Sequence, residues 1–195
     1  MNIFNLLKSK NLYDVSLLEN ILLAVSRFES NNNAITVFDN YFEWAQKGIL
    51  TPSESILLRF SLSCYSNNLI QAGKHAEDVL IANDFAKKDD FRSGHLCVTI
   101  QKSQLSTIKD PTLKFKQMKE ELSSFQKNIR FYPIEQINLV IRILAKYRMT
   151  DEIFSLFDCL RAARIKVQYL LQIECLLFAF LWLFRSINIL EQKLL

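Results

Sequence analysis

The scarcity of glycine and proline is the feature that most restricts the fold of this chain. Only three glycines and three prolines occur among 195 residues. β-Sheets and barrels need turn residues at frequent intervals, whereas helices need them only at their ends. Half of the residues are apolar, which is enough for a folded interior and too many for a disordered chain. The sequence therefore predicts an all-α protein.

The helical segments come in pairs, and the clearest pair follows Pro133. "INLVIRILAKY" and "MTDEIFSLFDCLRAARIKV" are short amphipathic segments with almost nothing between them. Thr150 is placed to cap the second helix of this pair. The apolar stripe of the first helix consists of Ile137, Val140, Ile141 and Leu144.

Similar patterns occur earlier in the chain. Gly48 stands where the C-terminus of a helix favours a residue that tolerates positive φ, and Pro111 suits the first position of a helix. The first helix, "SLLENILLAVSRF", is predicted to bury one face. That face comprises Leu17, Ile21, Ala24, Val25 and Phe28.

The pair of helices recurs about four times along one predicted domain, residues 1–195. Repetition every 35 to 45 residues, roughly, is typical of an α-solenoid, in which each unit buries its apolar face against its neighbours. The approximate units are 15–52, 53–90, 91–133 and 134–167, with a partial unit 168–195. An α-solenoid of antiparallel helix pairs is therefore the predicted architecture, and an irregular helical bundle is the alternative.

The fourth unit resembles a pentatricopeptide repeat (PPR). Counted from Ile134, it follows the family pattern without a gap: the Asn-Leu-Val-Ile opening, the lysine closing the first helix, the acidic pair opening the second and the "LFD" core are all in place. The usual glycine and proline near the repeat end are replaced by Arg164 and Val167. The first unit, with "AITVFDNYFEWAQKGILTPS", agrees more loosely.

This resemblance implies a noncatalytic protein that binds single-stranded RNA in mitochondria or chloroplasts, and the irregular repeats resemble more closely those of mitochondrial proteins. Its RNA would be a mitochondrial transcript or ribosomal RNA, and its role would lie in RNA stability or translation, as in leucine-rich PPR-type factors. In such repeats the fifth and last residues select a base, and those positions are Asn138 and Gln168. No cofactor is implied.

Elementary helix geometry gives this interpretation separate support. Asn138, Arg142 and Lys146 recur at four-residue spacing, which predicts one polar face opposite the apolar stripe. An amide and two cations on a rigid surface can hydrogen-bond a base and neutralise phosphates. A solvated helix face explains the same pattern.

Positive charge is concentrated further upstream. Residues 101–130 carry seven basic and three acidic side chains, whereas residues 1–100 carry nine and eleven. Lys114, Lys116 and Lys119 form a second cationic patch there, for which a solvated face is the preferred interpretation.

Residues that carry catalytic chemistry are scarce. The two histidines have no cysteine nearby at zinc-ligand spacing, and the three glycines lie too far apart for a phosphate-binding loop. Acidic pairs such as Glu77-Asp78 are interpreted as solvent-facing or capping residues. The four cysteines are widely spaced, which favours reduced thiols in an intracellular protein. The sequence therefore predicts no enzyme and no metal site.

Two alternatives remain. The same helical surface could hold a peptide, as in a TPR-like or ribosome-associated adaptor. Ten uninterrupted apolar residues, Cys175 to Phe184, raise the question of a membrane anchor, but a spanning helix needs about 20 such residues. A buried helix is therefore preferred, and it requires either dimerisation or further chain to cover it.

Overall fold

The structure, a computed structural model, describes residues 14–53, 55–104 and 111–165. These residues form helices and no strand, which confirms the predicted all-α class. The α-helices are α1 (Val15–Phe28), α2 (Asn31–Gln46), α3 (Ile56–Ser66), α4 (Ile70–Ala82), α5 (Arg92–Ser103), α6 (Pro111–Lys127), α7 (Ile134–Lys146) and α8 (Thr150–Ala162). Two 3₁₀ turns, Lys88–Phe91 and Ile129–Phe131, precede α5 and α7.

The chain divides into two compact units, Met1–Val98 and Thr99–Leu195. In the first unit α2 packs against α1 and α4, and α3 packs against the same two helices. In the second unit α8 packs against α6 and α7. The connections within the α1–α2, α3–α4 and α7–α8 pairs are two or three residues long, as expected for helical hairpins.

The apolar stripe predicted for α7 is confirmed. Its four members, Ile137, Val140, Ile141 and Leu144, have no solvent-exposed surface. Full burial of such side chains stabilises a fold by about 1.5–3 kcal/mol each. In the first unit the interior is aromatic, and the rings of Phe38 and Phe60 stack with centroids 5.1 Å apart.

The buried face predicted for α1 is wrong. Leu17 is 46% exposed and Phe28 is 84% exposed, whereas Leu18, Leu22 and Ser26 are buried. Two stripes of helical spacing overlap in this sequence, and the one that contains a serine is buried. Ser26 is accommodated because its hydroxyl lies 2.7 Å from that of Ser63 on α3, so that both polar groups have a partner.

Five helices, α2, α3, α4, α7 and α8, end in the same hydrogen-bonded turn. In each, one residue just after the helix has positive φ, and the N–H of the next residue bonds to a carbonyl five residues earlier at 2.9–3.0 Å. This is the Schellman motif, which satisfies carbonyls left free at a helix end. The residues with positive φ are Gly48, Asn68, Asp84, Arg148 and Arg164.

The predicted role of Gly48 is therefore confirmed, as is the start of α6 at Pro111. The predicted cap of α8 is wrong, because α8 begins at Thr150 itself and has Met149 as its N-cap, with no side-chain cap hydrogen bond. Met149 is held in the turn that ends α7, since its N–H bonds to the carbonyl of Leu144. The next helix consequently starts one residue too early for Thr150 to cap it.

Among the described residues, none of the helices has the length and apolarity that a bilayer crossing requires. The apolar segment Cys175 to Phe184 and the partial unit 168–195 lie outside those residues.

Arg148 offers a test of the helix-ending turns. A residue with a Cβ loses about 1–2 kcal/mol in the left-handed region, and glycine does not. Replacing Arg148 by glycine is expected to raise the free energy of unfolding by about 1 kcal/mol over the Arg148→Ala variant, which retains the Cβ. Urea unfolding of both variants measures the difference, and equal midpoints would contradict the assigned turn.

Candidate nucleic-acid interface

Helix α7 exposes a narrow polar stripe, because most of its surface is packed. Only Glu135, Arg142 and Lys146 are exposed on this helix. Arg142 and Lys146 are one helical turn apart, so their side chains project from the same side. The two predicted cations therefore do lie together at the surface.

Both cations are free to meet an anion. Within the described part of the chain, no carboxylate lies within 4.0 Å of Arg142 or Lys146. The ammonium of Lys146 lies 5.8 Å from the ring centroid of Tyr147, which can orient the amine without neutralising its charge. The pair presents two donors of the kind that contact phosphates.

Asn138 does not share this exposed face, and that prediction is wrong. Its side chain is buried, with 8% of the residue's surface exposed. A step of four residues turns an α-helix by about 40° beyond a full rotation, so the row from Asn138 to Lys146 drifts by about 80°. The solvent stripe is too narrow to contain the whole row, and Asn138 falls on its packed side.

The buried amide of Asn138 is incompletely paired. Among the described residues its Oδ1 atom has no hydrogen-bond donor. An unpaired buried polar atom costs about 1–3 kcal/mol, so this position is a local weakness of the interior. The other predicted base-selecting residue, Gln168, lies outside the described residues.

Helix α6 carries the second cationic surface. Lys116, Lys119 and Lys127 are exposed, whereas Lys114 is half-buried. The three exposed lysines line an open groove of about 690 Å³, here called the α6 groove, whose described walls come from this one helix. The groove residues are Thr112, Phe115, Lys116, Lys119, Glu120, Ser123, Ser124 and Lys127.

The spacing of polar residues along α6 accounts for the residues that line the groove, of which the predicted cationic patch contained only part. Met118, Leu122 and Phe125 are buried on the opposite side of the helix. Lysines and hydroxyl residues at spacings of three and four must then share the exposed side. The patch predicted from Lys114, Lys116 and Lys119 missed Lys127, the hydroxyl residues and Phe115.

A partly buried hydrogen-bonded cluster in the first unit was not predicted. The Tyr65 hydroxyl donates to Glu77 Oε2 at 2.5 Å, and His95 Nε2 lies 2.8 Å from the same oxygen. Glu77 is buried, so its predicted solvent-facing position is wrong. Burial raises the pKa of Tyr65 above its usual range, and the hydrogen bond to the Glu77 carboxylate raises it further.

Two glycines explain how the Tyr65 ring fits between helices. A Cβ atom added at Gly73 on α4 would lie 2.9 Å from this ring, and one added at Gly94 on α5 would lie 2.6 Å from it. Both distances are shorter than van der Waals contact. The absence of a side chain at these positions therefore lets α4 and α5 approach the tyrosine closely.

These groups do not assemble a recognisable active site. Burial raises the pKa of the Cys64 thiol to about 12, so this thiol stays protonated and is a poor nucleophile or metal ligand at neutral pH. Burial raises the pKa of Cys97 as well. Across the described ranges, no three His, Cys, Asp or Glu side chains are grouped as a metal site requires.

The cluster predicts unequal roles for two adjacent acidic residues. Replacing Glu77 by leucine leaves the buried Tyr65 hydroxyl without its acceptor, so we expect the free energy of unfolding to fall by about 1–3 kcal/mol. The matched Asp78→Leu change affects an exposed side chain and is expected to alter it by about 0.5 kcal/mol or less. Denaturant titration measures both variants, and a similar loss in each would argue against a structural role for the Glu77 contacts.

Comparison with known proteins identifies no relative: no protein-family model, curated protein or solved structure matches the chain.

Proposed function

We propose that this protein is a noncatalytic helical repeat protein that binds single-stranded RNA and acts in mitochondrial RNA stability or translation. The observation that carries this proposal is the exposed pair Arg142 and Lys146 on α7. The helix that bears them opens the unit resembling a pentatricopeptide repeat. Its two cations have no carboxylate partner among the described residues, which suits them to phosphate groups.

The proposal includes a solenoid of helix pairs. The contacts of the first unit support this arrangement, because α1 packs on α3 and α2 packs on α4 in addition to the contacts within each pair. In stacked hairpins, the first helix of one hairpin packs on the first helix of the next, and the second helix packs on the second. The resemblance of the fourth unit to a known repeat points in the same direction.

Binding through α7 would depend on the RNA backbone more than on base identity. Arg142 and Lys146 can each neutralise a phosphate, whereas the buried amide of Asn138 cannot reach a base edge in this conformation. The expected interaction is therefore salt-dependent and tolerant of sequence. Such a protein would protect or present a transcript without cleaving it.

A protein–protein adaptor is the second candidate, and exposed aromatic residues in the first unit favour it. Phe28 is 84% exposed and Phe85 is 56% exposed. Large apolar side chains at a surface are a common feature of protein interaction sites. An adaptor would retain its protein partner after nuclease treatment of an extract, whereas a partner held through RNA would be lost.

Charge reversal on α7 tests the proposed function. The Arg142→Glu/Lys146→Glu variant should bind a labelled single-stranded oligouridine about tenfold or more weakly than the unmodified protein, measured by fluorescence anisotropy at about 0.1 M salt. The slope of log affinity against log salt should shrink by about 1.4, because two phosphate contacts are lost. Both effects follow from the electrostatic origin of the contact.

Arg161→Glu/Arg164→Glu is the matched control. It makes the same change in charge at the end of α8, where Arg161 already pairs with Asp158 at 3.6 Å. Its affinity should stay near that of the unmodified protein. An equal loss in both variants would show only a general charge effect, and unchanged binding in the α7 variant would remove this helix as the interface.

A further inference from the structure

We propose that the α6 groove is a second contact surface for single-stranded RNA, in which lysines hold the phosphate backbone and Phe115 stacks on a base. This inference rests on the proposed RNA-binding function and adds a site that α7 does not provide. The lysines of this surface by themselves are typical of a solvated helix face. The other residues of the groove are what favour a binding role.

The charge of the groove matches a polyanion. Its lining contains Lys116, Lys119 and Lys127 and, among the residues that the structure describes, a single carboxylate, that of Glu120. In the part of the chain that the structure describes, no ion pair of 4.0 Å or less involves any of these three lysines. Three unneutralised ammonium groups along one side of a helix favour a ligand with several regularly spaced negative charges.

Hydroxyl groups between the lysines supply a second kind of phosphate contact. Thr112, Ser123 and Ser124 line the same groove. Serine and threonine hydroxyls donate hydrogen bonds to phosphate oxygens in many nucleic-acid complexes. The groove therefore combines charge with directional donors, as a backbone-binding surface requires.

Phe115 gives the groove a feature that a purely electrostatic surface lacks. Its side chain is 40% exposed, although it lies beside the lysines. The ammonium of Lys119 is 4.6 Å from the centroid of its ring. An aromatic ring next to cations is the combination with which proteins bind single strands, because the ring stacks on a base while the cations contact its phosphates.

The groove fits a single strand better than an anionic membrane surface. A helix that lies in a membrane interface needs a broad apolar face to insert among the lipids. Among the described residues of the groove, Phe115 is the one apolar side chain and the other seven are polar. Binding should depend little on sequence, because lysines and hydroxyl groups suit phosphate contacts and an aromatic ring can stack on any base.

Neutralising the lysines tests the electrostatic part of this proposal. The variant Lys116→Gln/Lys119→Gln/Lys127→Gln keeps helix propensity nearly constant, because glutamine and lysine are similar helix formers. We expect its affinity for labelled oligouridine to fall about tenfold or more and its salt slope to shrink by about 2. Lys74→Gln/Lys87→Gln/Lys88→Gln is the control, since it removes the same charge from exposed positions in the first unit.

Removing the aromatic ring tests the stacking part. Phe115→Ala should weaken binding by about fivefold or more without changing the salt slope, because a stacked base contributes about 1–3 kcal/mol. Phe131→Ala is the matched control, as Phe131 is 84% exposed and lies outside the groove. Its affinity should be unchanged.

The outcomes separate this inference from the proposed function. If the unmodified protein does not bind oligouridine, both fail. If it binds, and only the α7 charge reversal weakens binding, the α6 groove is excluded while the proposed function stands. If the lysine variant and its control lose affinity equally, the groove is not an RNA site. The same conclusion follows if the groove variants change binding to vesicles containing phosphatidylserine but not to oligouridine. Loss confined to the groove variants supports it.

Discussion

Each described helix of this protein buries an apolar stripe, and this packing determines which polar side chains remain available for a ligand. On α7 the four residues of the stripe are fully buried and only three side chains are exposed. Arg142 and Lys146 lie on the unpacked side of α7 and are therefore available to a ligand. Asn138 lies on the packed side and is therefore buried. On α6 the buried side is narrower, so an entire row of lysines and hydroxyl residues remains at the surface.

The ends of the helices are as regular as their interiors. Five of them close with a left-handed residue followed by a hydrogen bond across five residues, and only one of the five uses glycine. The other four residues, Asn68, Asp84, Arg148 and Arg164, adopt the positive φ that glycine would favour. The turn therefore forms in four helices without the residue that it favours, and its hydrogen bonds hold it there.

The all-helical class and several helix ends could be predicted from the sequence, because the relevant signals are local. The scarcity of glycine and proline predicted helices, and Pro111 and Gly48 marked helix ends correctly. The error at Thr150 came from the local turn after α7, whereas the errors at α1 and Glu77 involve contacts between helices. The buried face of α1 depended on a hydroxyl partner for Ser26 on another helix, and the burial of Glu77 depended on Tyr65 and His95. Periodicity along one segment contains no information about such partners.

In the candidate sites too, features of a single helix could be predicted from the sequence, and features that depend on contacts with the rest of the chain could not. Exposure of Arg142 and Lys146 could be predicted from one helix alone, whereas burial of Asn138 depends on how the rest of the chain packs around α7. The helical spacing already placed Phe115 beside the lysines of α6. That this side of the helix is exposed became clear only once its buried side was known.

Photocrosslinking of the unmodified protein to a single-stranded oligonucleotide containing 4-thiouridine, followed by mass spectrometry of the linked peptides, tests the central claim most directly. The account predicts crosslinks within α6 and α7, and crosslinks confined to the first unit would contradict it.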